Sequence, residues 1–164
     1  MKKWILFLIS LVLLILDNSF MPFLAIKGAF PSLLFVFAIA YSIINGKKEA
    51  VFIGVISGLL QDIYFYEGFG VNALINMLIC LLAAFIGENI YIEKKLIPTI
   101  SMILLYMLKV LSVFLVLKIA GKTINFEVGI YASLYSAIIM FLGYDFVLRL
   151  YDNNYKKKSW RLKW

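Results

Sequence analysis

Histidine is absent from this sequence, cysteine occurs once and proline three times. Without histidine the chain lacks the usual general base near neutral pH and the commonest transition-metal ligand. A single cysteine, Cys80, forms no internal disulfide, and no Cys/His cluster stands ready to hold a metal. Cys80 lies inside an apolar run, where a thiol acts as a small, inert core residue. Acidic residues are scarce too, nine against 16 Lys and Arg. There is no Ser/His/Asp set, no metal-ligand spacing and no Gly-rich phosphate loop. The residues therefore point to a non-enzyme with no catalytic, cofactor-binding or metal site.

What is present is apolar. Of 164 residues, 64% are hydrophobic, and the mean hydropathy is +0.98. A soluble domain of this length has roughly half apolar residues, so the surplus requires an apolar solvent. The net charge of +7 is not spread as a nucleic-acid surface would be. The basic residues sit in short clusters between apolar runs, the pattern that membrane topology imposes.

Six runs are long enough to act as membrane helices: about 4–22, 30–45, 49–65, 71–91, 96–118 and 127–150. A spanning segment must satisfy its own backbone, so all six are predicted helices of one all-α bundle. Turn chemistry separates them at Asn45-Gly46-Lys47-Lys48, Glu67-Gly68-Phe69-Gly70 and Gly121-Lys122-Thr123. Pro31 and Pro98 are placed in the first turns of their helices, where a missing N–H does no harm, and Pro22 ends the first. Lys2 and Lys3 precede the first run as in a signal peptide, but Asp17-Asn18-Ser19-Phe20-Met21-Pro22 offers no small-x-small cleavage site.

Lysine and arginine set the orientation. With the N terminus in the cytoplasm, the inner side holds Lys2, Lys3, Lys47, Lys48, Lys94, Lys95 and the tail; the outer side holds Lys27, Lys118 and Lys122. Both termini are thus expected in the cytoplasm of a bacterial-type membrane. The chain divides into a bundle, residues 1–151, and a basic tail, 152–164, which contains Lys156-Lys157-Lys158 and two tryptophans. The tail either lies on anionic headgroups or stands as a solvated topology anchor.

Polar residues inside spans mark the places to examine. In the third span Gly54, Ser57, Gly58, Gln61 and Asp62 share one helical stripe. Gly54 and Gly58 form a small-xxx-small pair that lets a neighbouring helix come close. The fourth span carries Asn72, Asn76, Cys80, Ala83 and Gly87 on one side. Lys109, in the fifth, matches Asp62 in depth, and Asp17 could join them in the outer half. The preferred reading is a structural Asp62–Lys109 ion pair rather than a substrate or proton site. Near the inner face Asp145 and Arg149, four apart, can pair along one helix, and Glu88 sits at a similar level. Tyr64, Phe65, Tyr66, Phe69, Tyr91, Tyr144 and Tyr151 fall at span ends as an interface belt.

The order of these motifs resembles the MreD family of bacterial rod shape-determining membrane proteins. The match rests on Pro31-Ser32-Leu33-Leu34, the turn Gly46-Lys47-Lys48, then Gly54-x-x-x-Gly58-Leu59-Leu60-x-Asp62 and Gly70-Val71-Asn72-Ala73-Leu74. Asn72 stands where the family commonly has histidine. The resemblance implies a non-enzymatic component of the cell-elongation machinery that supports lateral peptidoglycan synthesis. It implies an MreC-like partner and, through it, links to MreB and to the peptidoglycan glycosyltransferase/transpeptidase pair. It also implies a likeness to the six-helix S components of energy-coupling-factor vitamin transporters. The alternative function is therefore substrate capture by such an S component. Against it, the first helix is bulky throughout from Ile5 to Leu16, where S components carry an Ala-x-x-x-Ala type stripe. The candidate partner or helix-packing residues are Gly54, Gly58, Asp62, Gly70, Asn72, Asn76 and Lys109.

Overall fold

The computed structural model describes residues 3–64, 70–89, 95–119, 121 and 126–161, without side chains at 126 and 151–161. Expectations that fall on Phe65, Tyr66, Glu67, Phe69, Tyr91, Lys94 and Lys122, or on the side chains of the tail, lie outside the described residues. Among those described there are six α-helices and no strand: α1 (Lys3–Ser19), α2 (Leu33–Asn45), α3 (Lys47–Tyr64), α4 (Val71–Glu88), α5 (Leu96–Ile119) and α6 (Phe126–Arg161). A short 3-10 turn, Met21–Leu24, follows α1.

The all-α membrane-type fold read from the sequence is therefore found. Three helices, α4, α5 and the 127–150 part of α6, are long and apolar enough to cross a bilayer. The others fall short for separate reasons. α1 has 17 residues, α2 has 13, and α3 carries Lys47, Lys48, Glu49 and Asp62. The outward surface is apolar, with Leu8, Leu104 and Leu142 each more than half exposed. Such a surface suits a hydrocarbon solvent, where exposed leucine carries no penalty.

α2 is the axis of the bundle. Every residue from Leu34 to Ile44 is buried. Around it α1 packs on α3, α3 on α4, α4 on α5 and α5 on α6, and each of the five touches α2. Among the described residues α1 and α6 do not meet, so the ring has one open seam. At 13 residues α2 is about 20 Å long at 1.5 Å per residue, well short of a bilayer core of about 30 Å. Its burial within protein, rather than its length, keeps it in place.

The pairing of α3 with α4 is the most extensive in the bundle, and glycine makes it possible. A Cβ on Gly58 would stand 2.3 Å from Ala73 Cα, and one on Gly54 2.7 Å from Met77 Cα. The two helices therefore touch backbone to backbone, as the small-xxx-small spacing predicts. The stripe on α4 is buried from Asn76 through Cys80 and Ala83 to Gly87. Gly87 continues the principle against α2, since its Cβ would lie 2.1 Å from the Ile43 carbonyl oxygen.

Three boundaries differ from the sequence reading. α1 ends at Ser19, and Pro22 lies inside the 3-10 turn rather than at the end of the helix. Pro31 precedes α2 instead of sitting in its first turn, because Ser32 takes the N-cap position with extended backbone. α6 runs unbroken to Arg161, so the first ten residues of the basic tail, 152–161, continue the helix.

Gly58→Ala is expected to cost about 1–3 kcal/mol, the usual range for overpacking, because the obstructing atoms are backbone. Gly58→Leu is expected to abolish accumulation of folded protein. Thermal unfolding in detergent reads the first and membrane immunoblots the second. A Gly58→Ala protein as stable as the parent would show that α3 and α4 can part without loss.

Candidate functional site

A helix begins with four N–H groups that its own turns do not satisfy. α2 and α4 both start inside the bundle, and each takes its cap from an aspartate on the preceding helix. Asp62 of α3 accepts hydrogen bonds from the backbone N–H of Gly70, Asn72 and Ala73, each at 3.0 Å. Gly70 is the N-cap residue of α4 and brings no side chain for the task. Its φ of +96° lies in the left-handed region, which favours glycine. Asp17 of α1 does the equivalent for α2. It accepts from Leu33 N–H at 2.6 Å, Leu34 N–H at 3.1 Å and the Ser32 hydroxyl at 2.8 Å. Ser32 Oγ in turn accepts from Phe35 N–H at 3.2 Å. Both carboxylates are buried and both face the positive end of a helix dipole.

From Asp17 a line of hydrogen bonds crosses the bundle. Lys109 Nζ donates to Gln61 Oε1 at 2.8 Å, Gln61 Nε2 to Ser32 Oγ at 3.2 Å, and Ser32 Oγ to Asp17 Oδ2. Every donor points the same way, from the cation on α5 to the anion on α1. Asn76 of α4 joins by donating to Gln61 Oε1 at 2.9 Å and, more weakly, to Ser57 Oγ at 3.4 Å. The Lys109 ammonium also sits 4.1 Å from the centre of the Phe35 ring, within cation–π range. Five helices thus contribute to one polar cluster.

The predicted Asp62–Lys109 ion pair is not formed. Among the described residues the ion pairs are Lys47–Glu88, at 2.8 Å, and Lys95–Asp145. Asp62 is occupied by the start of α4, which offers it three N–H donors at once. Lys109 turns to Gln61, one residue earlier on the same stripe. Its charge is balanced at a distance by Asp17 through two neutral side chains. Asp145 likewise takes Lys95, the residue just before α5, rather than Arg149 of its own helix. Glu88, placed at a similar level by the sequence, is held by Lys47. These two pairs are partly exposed and add little stability singly.

The candidate residues of the sequence thus separate into two groups. Gly54, Gly58, Asp62, Gly70 and the backbone of Asn72 meet at the α3–α4 junction. Asn76 and Lys109 meet at Gln61. Ser32 was not among the candidates, although a serine just before an apolar run is a helix-start signal. The described residues hold no cluster of three or more metal-binding side chains, and Cys80 is free and buried.

A family model described as rod shape-determining protein MreD matches residues 1–153. The chain belongs to the MreD family. Membership assigns it a rod shape-determining role, and with the candidate spans it makes the chain a membrane protein. No match is found among curated proteins or solved structures, so the likeness to S components rests on the family resemblance alone. The geometry gives this MreD stretch a physical reason. Gly54, Gly58, Asp62 and Gly70 are the parts of one clamp between α3 and α4.

A double-variant cycle separates the observed contact from the predicted one. Gln61→Leu with Lys109→Met is expected to show a coupling of about 0.5–3 kcal/mol, the range for residues in one hydrogen-bond network. Asp62→Asn with Lys109→Met should couple less. Unfolding in detergent gives both values, and the reverse order would restore the direct ion pair.

Proposed function

We propose that this MreD-family chain is a non-enzymatic scaffold of the cell-elongation machinery. It supports rod shape and lateral peptidoglycan synthesis through an MreC-like partner, and through that partner it is linked to MreB and the glycosyltransferase/transpeptidase pair. The observation that carries this reading is the family match over residues 1–153. The geometry supports a scaffold in a second way. Asp17, Gln61, Asp62 and Lys109, the polar groups that could have served a substrate, are bonded to other parts of the bundle. Groups engaged in this way fix helix positions.

In this reading the chain is multi-pass, with α1 to α6 alternating in direction and both termini in the cytoplasm. Lys3, Lys47, Lys48 and Lys95 then fall on the cytoplasmic side, and Lys27 and Lys118 on the other. The basic continuation of α6 leaves the membrane on the cytoplasmic side.

The test is complementation in a rod-shaped bacterium depleted of its own MreD. The wild-type chain, and a version with a single added cysteine at position 47, should restore rods. Cys80 is buried, so a membrane-impermeant thiol reagent should leave the Lys47→Cys chain unlabelled in whole cells and label it after lysis. Cells that stay round at normal membrane levels would refute the scaffold role. Labelling of intact cells would invert the topology.

A further inference from the structure

Residues 20–29, between α1 and α2, do not have the character of an ordinary water-facing loop. Met21 and Ala29 are buried and pin the segment to the bundle. Between them Phe23 is 86% exposed, and Leu24 and Ile26 are exposed as well. Phe20, just before the first pin, is also exposed and extends the outward face of α1, which ends with Ile15 and Leu16. Across residues 18–48 no acidic residue occurs, and the one charge within residues 20–29 is Lys27.

Much of the segment's backbone bonding is internal. Phe20 N–H donates to Leu16 at 2.9 Å, Phe23 N–H to Phe20 at 3.2 Å and Ala25 N–H to Pro22 at 3.3 Å. Ile26 and Ala29 exchange both of their hydrogen bonds at 2.9 Å, and Pro22 has no N–H to satisfy. Lys27, at φ 52°, and Gly28, at φ 78°, form the two-residue hairpin turn between them. Water would satisfy these groups without such bonding; hydrocarbon would not. Length agrees. The 17 residues of α1 reach about 25 Å, about 5 Å less than a hydrocarbon core, and the residues that follow are those available to fill the difference.

We propose that residues 20–29 form an interfacial wedge, with Phe20, Phe23, Leu24 and Ile26 seated in the acyl edge of the lipid leaflet and Lys27 at the headgroups. The occupant of this surface is lipid. Lys27 Nζ donates to Tyr131 OH on α6 at 3.2 Å and lies 4.8 Å from its ring centre. The wedge therefore bridges the seam between α1 and α6 at this end, where amphipathic side chains reach from apolar surface to water. Its assignment to the outer leaflet rests on the topology proposed above; its depth does not.

A nitroxide at position 23 tests the depth in the full chain reconstituted in vesicles. Positions 8 and 48 serve as lipid-facing and water-facing references, and the parent chain, with Cys80 buried, is the blank. Position 23 should follow position 8, broadened by oxygen and with loss of the broadening by a water-soluble nickel chelate seen at position 48. Chelate broadening at 23 equal to that at 48 would place the segment in water and overturn the proposal. Protection at 23 from both reagents would also overturn it, since protein rather than lipid would then cover the wedge. Rod-shape complementation has no bearing on this readout, so failure of the scaffold role and failure of the wedge are distinguishable.

Discussion

Backbone N–H groups at the buried start of a helix have to find acceptors, and in this bundle they find them on the neighbouring helix. Asp17 and Asp62 each reach from one helix to the beginning of the next in the fold. A hydrogen bond to an ionised group contributes about 1.5–3 kcal/mol to stability, and an orphaned buried donor costs about 1–3 kcal/mol. Each aspartate therefore does two things at once. It lets its partner helix begin inside the protein, and it gives its own charge a reason to be tolerated there.

Much of the architecture follows from that arrangement. Because Asp17 and Ser32 cap α2 below the surface, α2 can be short and serve as a buried axis. Because Asp62 caps α4, that helix can begin at Gly70 within the bundle and lie along α3, where Gly54 and Gly58 let the backbones touch. The oriented line from Lys109 through Gln61 and Ser32 then ties α5 to the first cap. In this member of a rod shape-determining family, such ties hold the helices in fixed relation to one another.

The sequence made parts of this legible. Periodicity placed Gly54, Ser57, Gly58, Gln61 and Asp62 on one stripe, and the structure buries that stripe against α4. Residue counting put Lys109 at the right depth. It misassigned the partner, because the groups that claim Asp62 are backbone N–H groups and carry no letter in the sequence. Depth matching also cannot separate Gln61 from Asp62, which are adjacent on one helix. The short α2 was harder to foresee. Its start depends on Asp17, 16 residues away from the N–H of Leu33 that it accepts. The continuation of α6 into the tail was hidden because the charge pattern signals exit from the membrane but not the end of a helix.

Residue-level amide exchange in nanodiscs addresses the trans-capping most directly. In Asp17→Ala, exchange at Leu33, Leu34 and Phe35 should rise while Asn72 and Ala73 stay protected. In Asp62→Ala the two sets should change places. Unchanged protection at the uncapped helix start, in a protein that is still folded, would contradict the account.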